Sequence, residues 1–145
     1  MVNPDATPPR ELIHVDGSER SPANYSPAVR VGSHVYVSGM IAMRDGDVIG
    51  VGDVAAQTHA VLENIEAALS AAGAVLADVV RYRIYLTHID DLAAARSALA
   101  PAFGKIRPAG TLVAVNALIH PDLKIEIDVD AVIGSALVEK GSVSP

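Results

Sequence analysis

The chain has 145 residues, half of them apolar, with one Phe, four Tyr and no Trp, so we expect one domain with a core of small aliphatic side chains. The formal charge of −6 and the absence of Cys argue against phosphate-backbone binding, and exclude disulfides and thiolate chemistry. No segment has the apolar length of a signal peptide or a membrane span, so we expect a cytoplasmic protein without nucleic-acid or membrane partners.

Proline and scattered charge dominate the start of the chain, where residues 1–22 hold four of the nine prolines. Such a composition buries too little apolar surface to offset the entropy of ordering. We therefore expect a flexible arm over residues 1–22, in which residues 11–15 form a short edge strand at most. The folded domain is expected over residues 23–134, followed by a C-terminal tail over residues 135–145.

A β-hairpin is predicted to open the domain. Residues 29–31 and 34–39 alternate apolar and polar side chains around the turn residues Gly32 and Ser33. Residues 44–47, Arg-Asp-Gly-Asp, give a second hairpin signal soon afterwards, because Asp-Gly adopts the tight turns that join antiparallel strands.

A helix is predicted to follow, with Asp53 as its N-cap and Gly73 in the position just beyond its end. Residues 79–87 then alternate as a strand. One face of that strand carries Tyr82, Ile84 and Leu86. The other carries Arg81, Arg83 and Tyr85.

A second helix is predicted after Asp90 and Asp91, either of which offers an N-terminal cap. Its inner stripe is Leu92, Ala95, Leu99 and Phe103. Pro101 is expected to bend or end this helix, because proline lacks the donor N–H and clashes with the preceding turn. Two strands close the chain, over residues 111–117 and 124–133, with a turn at residues 120–122.

This order, β-β-α-β-α-β-β, predicts an α+β fold with one mixed sheet and two helices on one face. The other face is polar, because Glu126, Asp128 and Asp130 alternate with buried positions. We expect this acidic row to lie on the same side as Arg81 and Arg83. The face is either a solvated surface or a seam between copies of the chain.

Several short segments resemble the RidA/YjgF family, in order, from about residue 24 to residue 133. They are residues 25–32 (YSPAVRVG), 35–39 (VYVSG), 53–58 (DVAAQT), 62–65 (LENI), 72–73 (AG), 78–80 (DVV), 107–109 (RPA), 113–115 (VAV) and 125–127 (IEI). The resemblance implies a chorismate-mutase-like fold and a homotrimer with a central barrel and three small-molecule clefts between subunits. Active members hydrolyse enamines and imines to 2-keto acids and ammonia, without metal or cofactor.

The resemblance also implies site residues. The family's water-activating Glu falls on Glu126, and its pocket-lining Tyr and Ser fall on Tyr25 and Ser38. The family's carboxylate-gripping Arg is replaced by Gly110, which follows Pro108-Ala109. Because a Gly offers only a backbone N–H where Arg offers a charged fork, hydrolysis of 2-iminobutanoate and 2-iminopropanoate is in question.

The amides of Gly110 and Thr111 would then orient the substrate, and Arg107 is a candidate replacement for the missing cation. Simpler roles remain open for the other residues. Glu126 could pair with Arg81 or Arg83 in the seam. Ser38 could be a turn serine, and Tyr25 an aromatic anchor.

Three functions follow. The first is cofactor-free hydrolysis of an imine, enamine or related C–N compound. The second is a non-catalytic trimer that binds or senses a metabolite in the same cleft. The third, RNA cleavage or inhibition of translation, is opposed by the acidic charge. The five His residues are spread singly, which argues against a metal site.

Overall fold

The computed structural model describes residues 3, 5–15 and 24–137. Six strands form the main sheet: β1 (Arg10–Ile13), β2 (Ala28–Val31), β3 (His34–Ile41), β6 (Val79–Leu86), β7 (Ala109–Ala114) and β8 (Ile125–Val132). A separate small hairpin consists of β4 (Met43–Arg44) and β5 (Asp47–Val48). The helices are α1 (Val54–Ala71) and α2 (Leu92–Phe103), each near a short 3-10 turn, at Leu76–Asp78 and Ile89–Asp91.

The main sheet has the order β1-β2-β3-β8-β6-β7, in which β6 and β7 run parallel and the other neighbours run antiparallel. This confirms the predicted α+β architecture, with one mixed sheet and two helices. The expected edge strand forms as β1, inside the stretch predicted as a flexible arm. The predicted boundary between the arm and the domain lies within residues 16–23, and most of the predicted tail lies within residues 138–145. Both stretches are outside the described residues.

The boundaries of α1 follow the predicted capping chemistry. The Asp53 carboxylate accepts a hydrogen bond from the Ala56 N–H at 3.0 Å, which satisfies one of the free amides of the first turn. Gly73, one residue beyond the C-cap, has φ of +81°, a conformation that glycine adopts without steric cost.

The prediction for α2 needs two corrections. Asp91 occupies the N-cap position, but its side chain makes no capping bond and instead binds Lys124 Nζ at 3.0 Å. Pro101 does not end the helix, which continues to Phe103. Since Pro101 lies in the last turn, its missing N–H costs one hydrogen bond, and the buried Phe103 ring helps to hold that turn in place. The strand after α2 also begins earlier than expected, at Ala109, and ends earlier, at Ala114.

The two faces of the sheet differ as predicted. Ile125, Ile127 and Val129 are fully buried in the core with residues of both helices. On the opposite face Arg83 pairs with Asp128, at 2.6 Å, and with Asp130, at 3.1 Å. The acidic and basic rows therefore share one side of the sheet, which we call the open face. Within the described part of the chain, no helix is long and apolar enough to span a membrane.

Candidate functional site

The site forms around an irregularity in β3. Between the pairs Val37↔Val129 and Met40↔Ile127, β3 has one residue more than its partner β8, so the strand bulges at Ser38 and Gly39. Such a bulge redirects side chains and is common beside active sites.

A cavity of about 610 Å³ lies against this bulge. It brings together three of the residues that the sequence singled out, Tyr25, Ser38 and Glu126. Most of the remaining lining is apolar: Pro27, Met40, Ile41, Met43 and Ile119. A pocket with an apolar wall and a few polar groups is typical of a small-molecule site.

Glu126 occupies space that only a glycine at position 39 leaves open. A Cβ built on Gly39 would overlap the Glu126 carboxylate, whose Cδ would lie 2.9 Å away. Burial raises the pKa of Glu126, and the nearby charge of Asp128 raises it further. A carboxyl group with a raised pKa can exchange protons near neutral pH.

The alternative role for Glu126, an ion pair with Arg81 or Arg83 in a seam between copies, does not form within one chain and stays a prediction for the seam. Arg83 pairs with Asp128 and Asp130. The contact with Asp130 is the largest cause of the raised pKa of the guanidinium, and the contact with Asp128 also raises it. Arg81 likewise makes no ion pair with Glu126. Among the described residues Glu126 has neither a hydrogen-bond nor an ion-pair partner, so its carboxyl group is available to a ligand.

A smaller cavity of about 290 Å³ lies on the other side of the Glu126 carboxyl group. Tyr85 and Asp128 line it together with Gly39 and Glu126. The Tyr85 hydroxyl donates to Asp128 at 3.1 Å, and burial, with this contact, raises the pKa of Tyr85. Asp128 Oδ1 is buried and accepts no well-aligned hydrogen bond, although Arg83 lies 2.6 Å from it.

Ser38 and Tyr25 differ in how firmly they are held. The Ser38 hydroxyl donates to the Ser26 carbonyl at 2.6 Å, and the Ser38 N–H donates to the Pro27 carbonyl at 2.9 Å. Ser38 therefore lies in a bulge and not in a turn, and its oxygen remains free to accept. The Tyr25 side chain is exposed at the cavity mouth, where a ligand or a second chain can cover it.

Gly110 and Thr111 do not line this cavity. Both are exposed on β7, at the opposite edge of the sheet, where Gly110 pairs with Tyr82. The Tyr82 ring lies over Gly110, since a Cβ there would be 2.6 Å from Tyr82 Cε2. Arg107 lines a separate cleft beside Tyr82.

The sequence analysis missed Asn64 as a site residue. Asn64 projects from α1 into the cavity wall, and its amide donates to the Ile41 carbonyl at 2.9 Å. It lies within the family-like segment at residues 62–65, at the edge of a buried helical stripe, and this was the available signal. In the described residues no three His, Asp or Glu side chains are grouped to hold a metal ion.

A mixed sheet with two helices on one face, and a carboxyl-bearing cavity at a strand bulge, define the RidA/YjgF class of proteins that the sequence segments resemble. Residues 18–133 match the model of the family described as Endoribonuclease L-PSP. The chain therefore belongs to this RidA/YjgF family.

Curated and solved relatives agree with this assignment. The 3-aminoacrylate deaminase RutC of Acinetobacter baylyi is 42% identical over 120 residues, covering 82% of this chain and 94% of the relative. A RutC family protein of Pyrococcus horikoshii is 35% identical over 121 residues, with the same coverage. A Mycobacterium tuberculosis member of the YjgF/YER057c/UK114 family superposes with a TM-score of 0.75 at 44% identity, covering 86% of this chain and 100% of that one. The Escherichia coli YjgF gene product has a TM-score of 0.75 at 29% identity, covering 84% and 98%.

Proposed function

We propose that the protein hydrolyses a small enamine or imine, releasing ammonia and a carbonyl compound, in clefts between the subunits of a homotrimer. The observation that carries this proposal is the Glu126 carboxyl group. It is half-buried, has no partner among the described residues, and has a raised pKa in a largely apolar cavity. Such a group can donate a proton and later accept one.

The reaction needs both steps. Protonated Glu126 donates its proton to the carbon of the enamine, which becomes an iminium ion. A water molecule then adds to the iminium carbon, and the Glu126 carboxylate accepts a proton from that water. The carbinolamine so formed expels ammonia as the carbonyl forms, so one water is consumed and one ammonia is released. Ser38 and Tyr25 border this space and would orient the substrate.

The printed activity of one relative supports the reaction class. RutC of Acinetobacter baylyi is a 3-aminoacrylate deaminase, and 3-aminoacrylate is an enamine that hydrolysis would convert to an aldehyde and ammonia. 3-Aminoacrylate carries a carboxylate. None of the residues lining the 610 Å³ cavity is a cation, so we propose that the substrate of this protein lacks a carboxylate.

The position of β7 supports assembly. Gly110 and Thr111 cannot act on a ligand at Glu126 within one chain, because β6 and β8 lie between β7 and β3. A neighbouring copy that places its β7 edge against the cavity would bring their amides to the substrate. We propose on this ground that the site is completed between copies.

The test is turnover by the native protein and two variants. An enamine is generated in solution, its decay is followed by ultraviolet absorbance, and ammonia is measured at the end. We expect Glu126→Gln to lose at least about a hundredfold in rate, the usual contribution of general acid–base catalysis. Glu66→Gln, a change at an exposed site on α1, serves as the matched control and should retain the native rate.

The variant should fold, since a carboxyl whose pKa is raised in the folded state lowers stability once the pH passes its unfolded-state pKa. Replacing Glu126 by an uncharged isostere removes that loss at neutral pH. Binding of substrate analogues without any acceleration of enamine decay would refute hydrolysis and support the metabolite-sensing alternative.

A further inference from the structure

A second cleft, of about 300 Å³, lies on the helix-bearing side of the sheet at the β7 edge. It is distinct from the Glu126 cavity and shares no residue with it. The residues that give it chemical character are Tyr82, Phe103, Arg96 and Arg107. We call it the arginine cleft.

The charges of this cleft are all of one sign. Arg96 and Arg107 line it, and no acidic residue does. Neither guanidinium has a hydrogen-bond or ion-pair partner within residues 5–15 and 24–137. In a chain with a formal charge of −6, two unpaired arginines beside one concave surface favour an anionic ligand.

Three other arginines of the chain are held by the protein. Arg30 donates to the Gly32 and Ala72 carbonyls, Arg44 pairs with Glu63, and Arg83 pairs with Asp128. Arg10 and Arg81 also have no side-chain partner within the described residues, so what distinguishes Arg96 and Arg107 is that they line one concave surface together.

The backbone of Arg107 is strained. Its φ is +49°, in the left-handed region that costs a residue with a side chain free energy and that glycine adopts readily. The Arg107 N–H donates to the Phe103 carbonyl at 2.9 Å, which fixes the turn. Backbone conformations of this kind cluster at active sites and ligand sites.

The wall of the cleft is aromatic. The centroids of Tyr82 and Phe103 lie 5.3 Å apart, with their planes tilted by 49°. Since Gly110 has no side chain, the tip of the Tyr82 ring lies over the β7 backbone without obstruction. An aromatic surface beside guanidinium groups suits a flat ligand that carries a carboxylate.

We propose that the arginine cleft binds a small planar carboxylate, with its charge on Arg96 and Arg107 and its flat body against the Tyr82 ring, which the buried Phe103 supports from the core. Within one chain this cleft shares no residue with the Glu126 cavity, and its ligand is proposed independently of the reaction there.

Nicotinate and nicotinamide are the probes, because they share one shape and differ in charge. Calorimetric titration of the full-length protein at low ionic strength is expected to give saturable binding of nicotinate. Nicotinamide should bind at least about tenfold more weakly, because a hydrogen bond to a charged group contributes about that factor. Arg96→Gln and Arg107→Gln should each weaken nicotinate by a similar factor. Arg81→Gln, on the open face, is the matched control and should change nothing.

Arg107→Gly gives a second, independent readout. It should raise the melting temperature of the unliganded protein, because glycine relieves the positive φ, and at the same time weaken nicotinate. Loss of binding with a raised melting temperature excludes misfolding as the cause.

Equal affinity for nicotinate and nicotinamide would overturn the proposal, and so would affinity that is unchanged in both Arg96→Gln and Arg107→Gln. Glu126→Gln separates the two sites, since it should abolish enamine hydrolysis and leave nicotinate binding intact. If Arg96→Gln also abolished hydrolysis, the cleft would be part of the reaction site and the proposal of a separate site would fail.

Discussion

Gly39 on β3 and the Glu126 side chain on β8 are in direct contact. The carboxyl group fits only because position 39 lacks a Cβ, and the extra residue in β3 is what brings Gly39 against Glu126. A raised pKa follows, since the carboxyl group is partly withdrawn from water and no cation compensates. The chemistry of the site is thus set by a glycine and a bulge as much as by the acid itself.

Asp128 is predicted to set the pH range of activity. Its charge is the second cause of the raised pKa of Glu126, so Asp128→Asn should lower that pKa. If the protonated Glu126 donates the first proton, the rate falls as pH rises through the pKa of Glu126, and in Asp128→Asn this fall should occur at lower pH. The measurement is the pH profile of turnover at saturating substrate. Asp130→Asn, which also loses a contact with Arg83, is the control, and an identical profile for all three proteins would contradict the prediction.

We predict that the protein hydrolyses carboxylate-bearing imines slowly, because Gly110 offers no charged side chain to bind the carboxylate. The neighbouring Tyr82 ring leaves no room for a side chain at position 110. Position 110 is not among the glycines with positive φ, so its backbone accepts a side chain. The obstacle is the Tyr82 ring, 2.6 Å from a Cβ at that position. Gly110→Arg alone should therefore destabilise the fold by about 1–3 kcal/mol, as overpacking does. The loss should largely disappear when the change is made in a Tyr82→Ala background, as urea denaturation would measure.

The same double variant tests substrate choice. The native protein should accelerate 2-iminobutanoate hydrolysis little, and Gly110→Arg with Tyr82→Ala should accelerate it measurably more, because the guanidinium restores a carboxylate partner. A threonine dehydratase supplies the imine, and the loss of semicarbazone formation reports its hydrolysis. Native activity on 2-iminobutanoate as high as on an uncharged imine would refute the role assigned to Gly110.

At the scale of elements, α1 and β8 are joined by one buried amide. Gln57 is fully buried, its Oε1 accepts from the Lys124 N–H at 2.7 Å, and its Nε2 donates to the Asp122 carbonyl at 2.8 Å. These bonds hold the segment just before β8, the strand that carries Glu126. A buried polar side chain with each of its groups bonded fixes one arrangement of the elements that it joins.

Gln57→Leu should therefore lower the free energy of unfolding by about 2–4 kcal/mol, because it leaves the part-buried Lys124 amide and Asp122 carbonyl without the partner that joins them to α1. Thr58→Val is the matched control. The buried Thr58 hydroxyl donates only to Val54 of its own helix, at 2.7 Å, so its loss should cost about 1 kcal/mol or less. Urea denaturation of the two variants gives the comparison, and equal losses would show that the Gln57 contacts do not join the elements.

At the scale of the whole molecule, the open face combines paired charges with exposed apolar side chains. Leu12 is 56% exposed, Tyr36 is 48% exposed and Val113 is 41% exposed. Cross-strand pairing places Tyr36 beside Asp130, and Val113 beside Tyr85, on this face. Exposed apolar side chains on a sheet face favour its association with another surface.

The protein is predicted to be a trimer in solution, with the open faces turned toward one another. Light scattering should give about three times the chain mass of 15.0 kDa. Tyr36→Asp should favour dissociation, because it places a second carboxylate opposite Asp130, whereas the exposed Val51→Asp should not. A native mass near 15.0 kDa would exclude the trimer and, with it, a site completed by a neighbouring copy.

The elements and their inward faces were predictable from local sequence. Asp53 and Gly73 mark the ends of α1 because capping depends on a few neighbouring residues. The alternation over residues 125–130 assigns buried and open faces because strand side chains repeat every second residue. The family-like segments also indicated Tyr25, Ser38 and Glu126, which line one cavity.

Which side chains meet between distant strands could be learned only from the tertiary structure. Insertion of β8 between β3 and β6 placed Arg83 against Asp128 and Asp130 and left Glu126 unpaired. It also set the bulge that brings Gly39 to Glu126. The physical reason is that a local pattern specifies which face a side chain occupies, whereas strand order, register and bulges are decided by the packing of segments far apart in the chain.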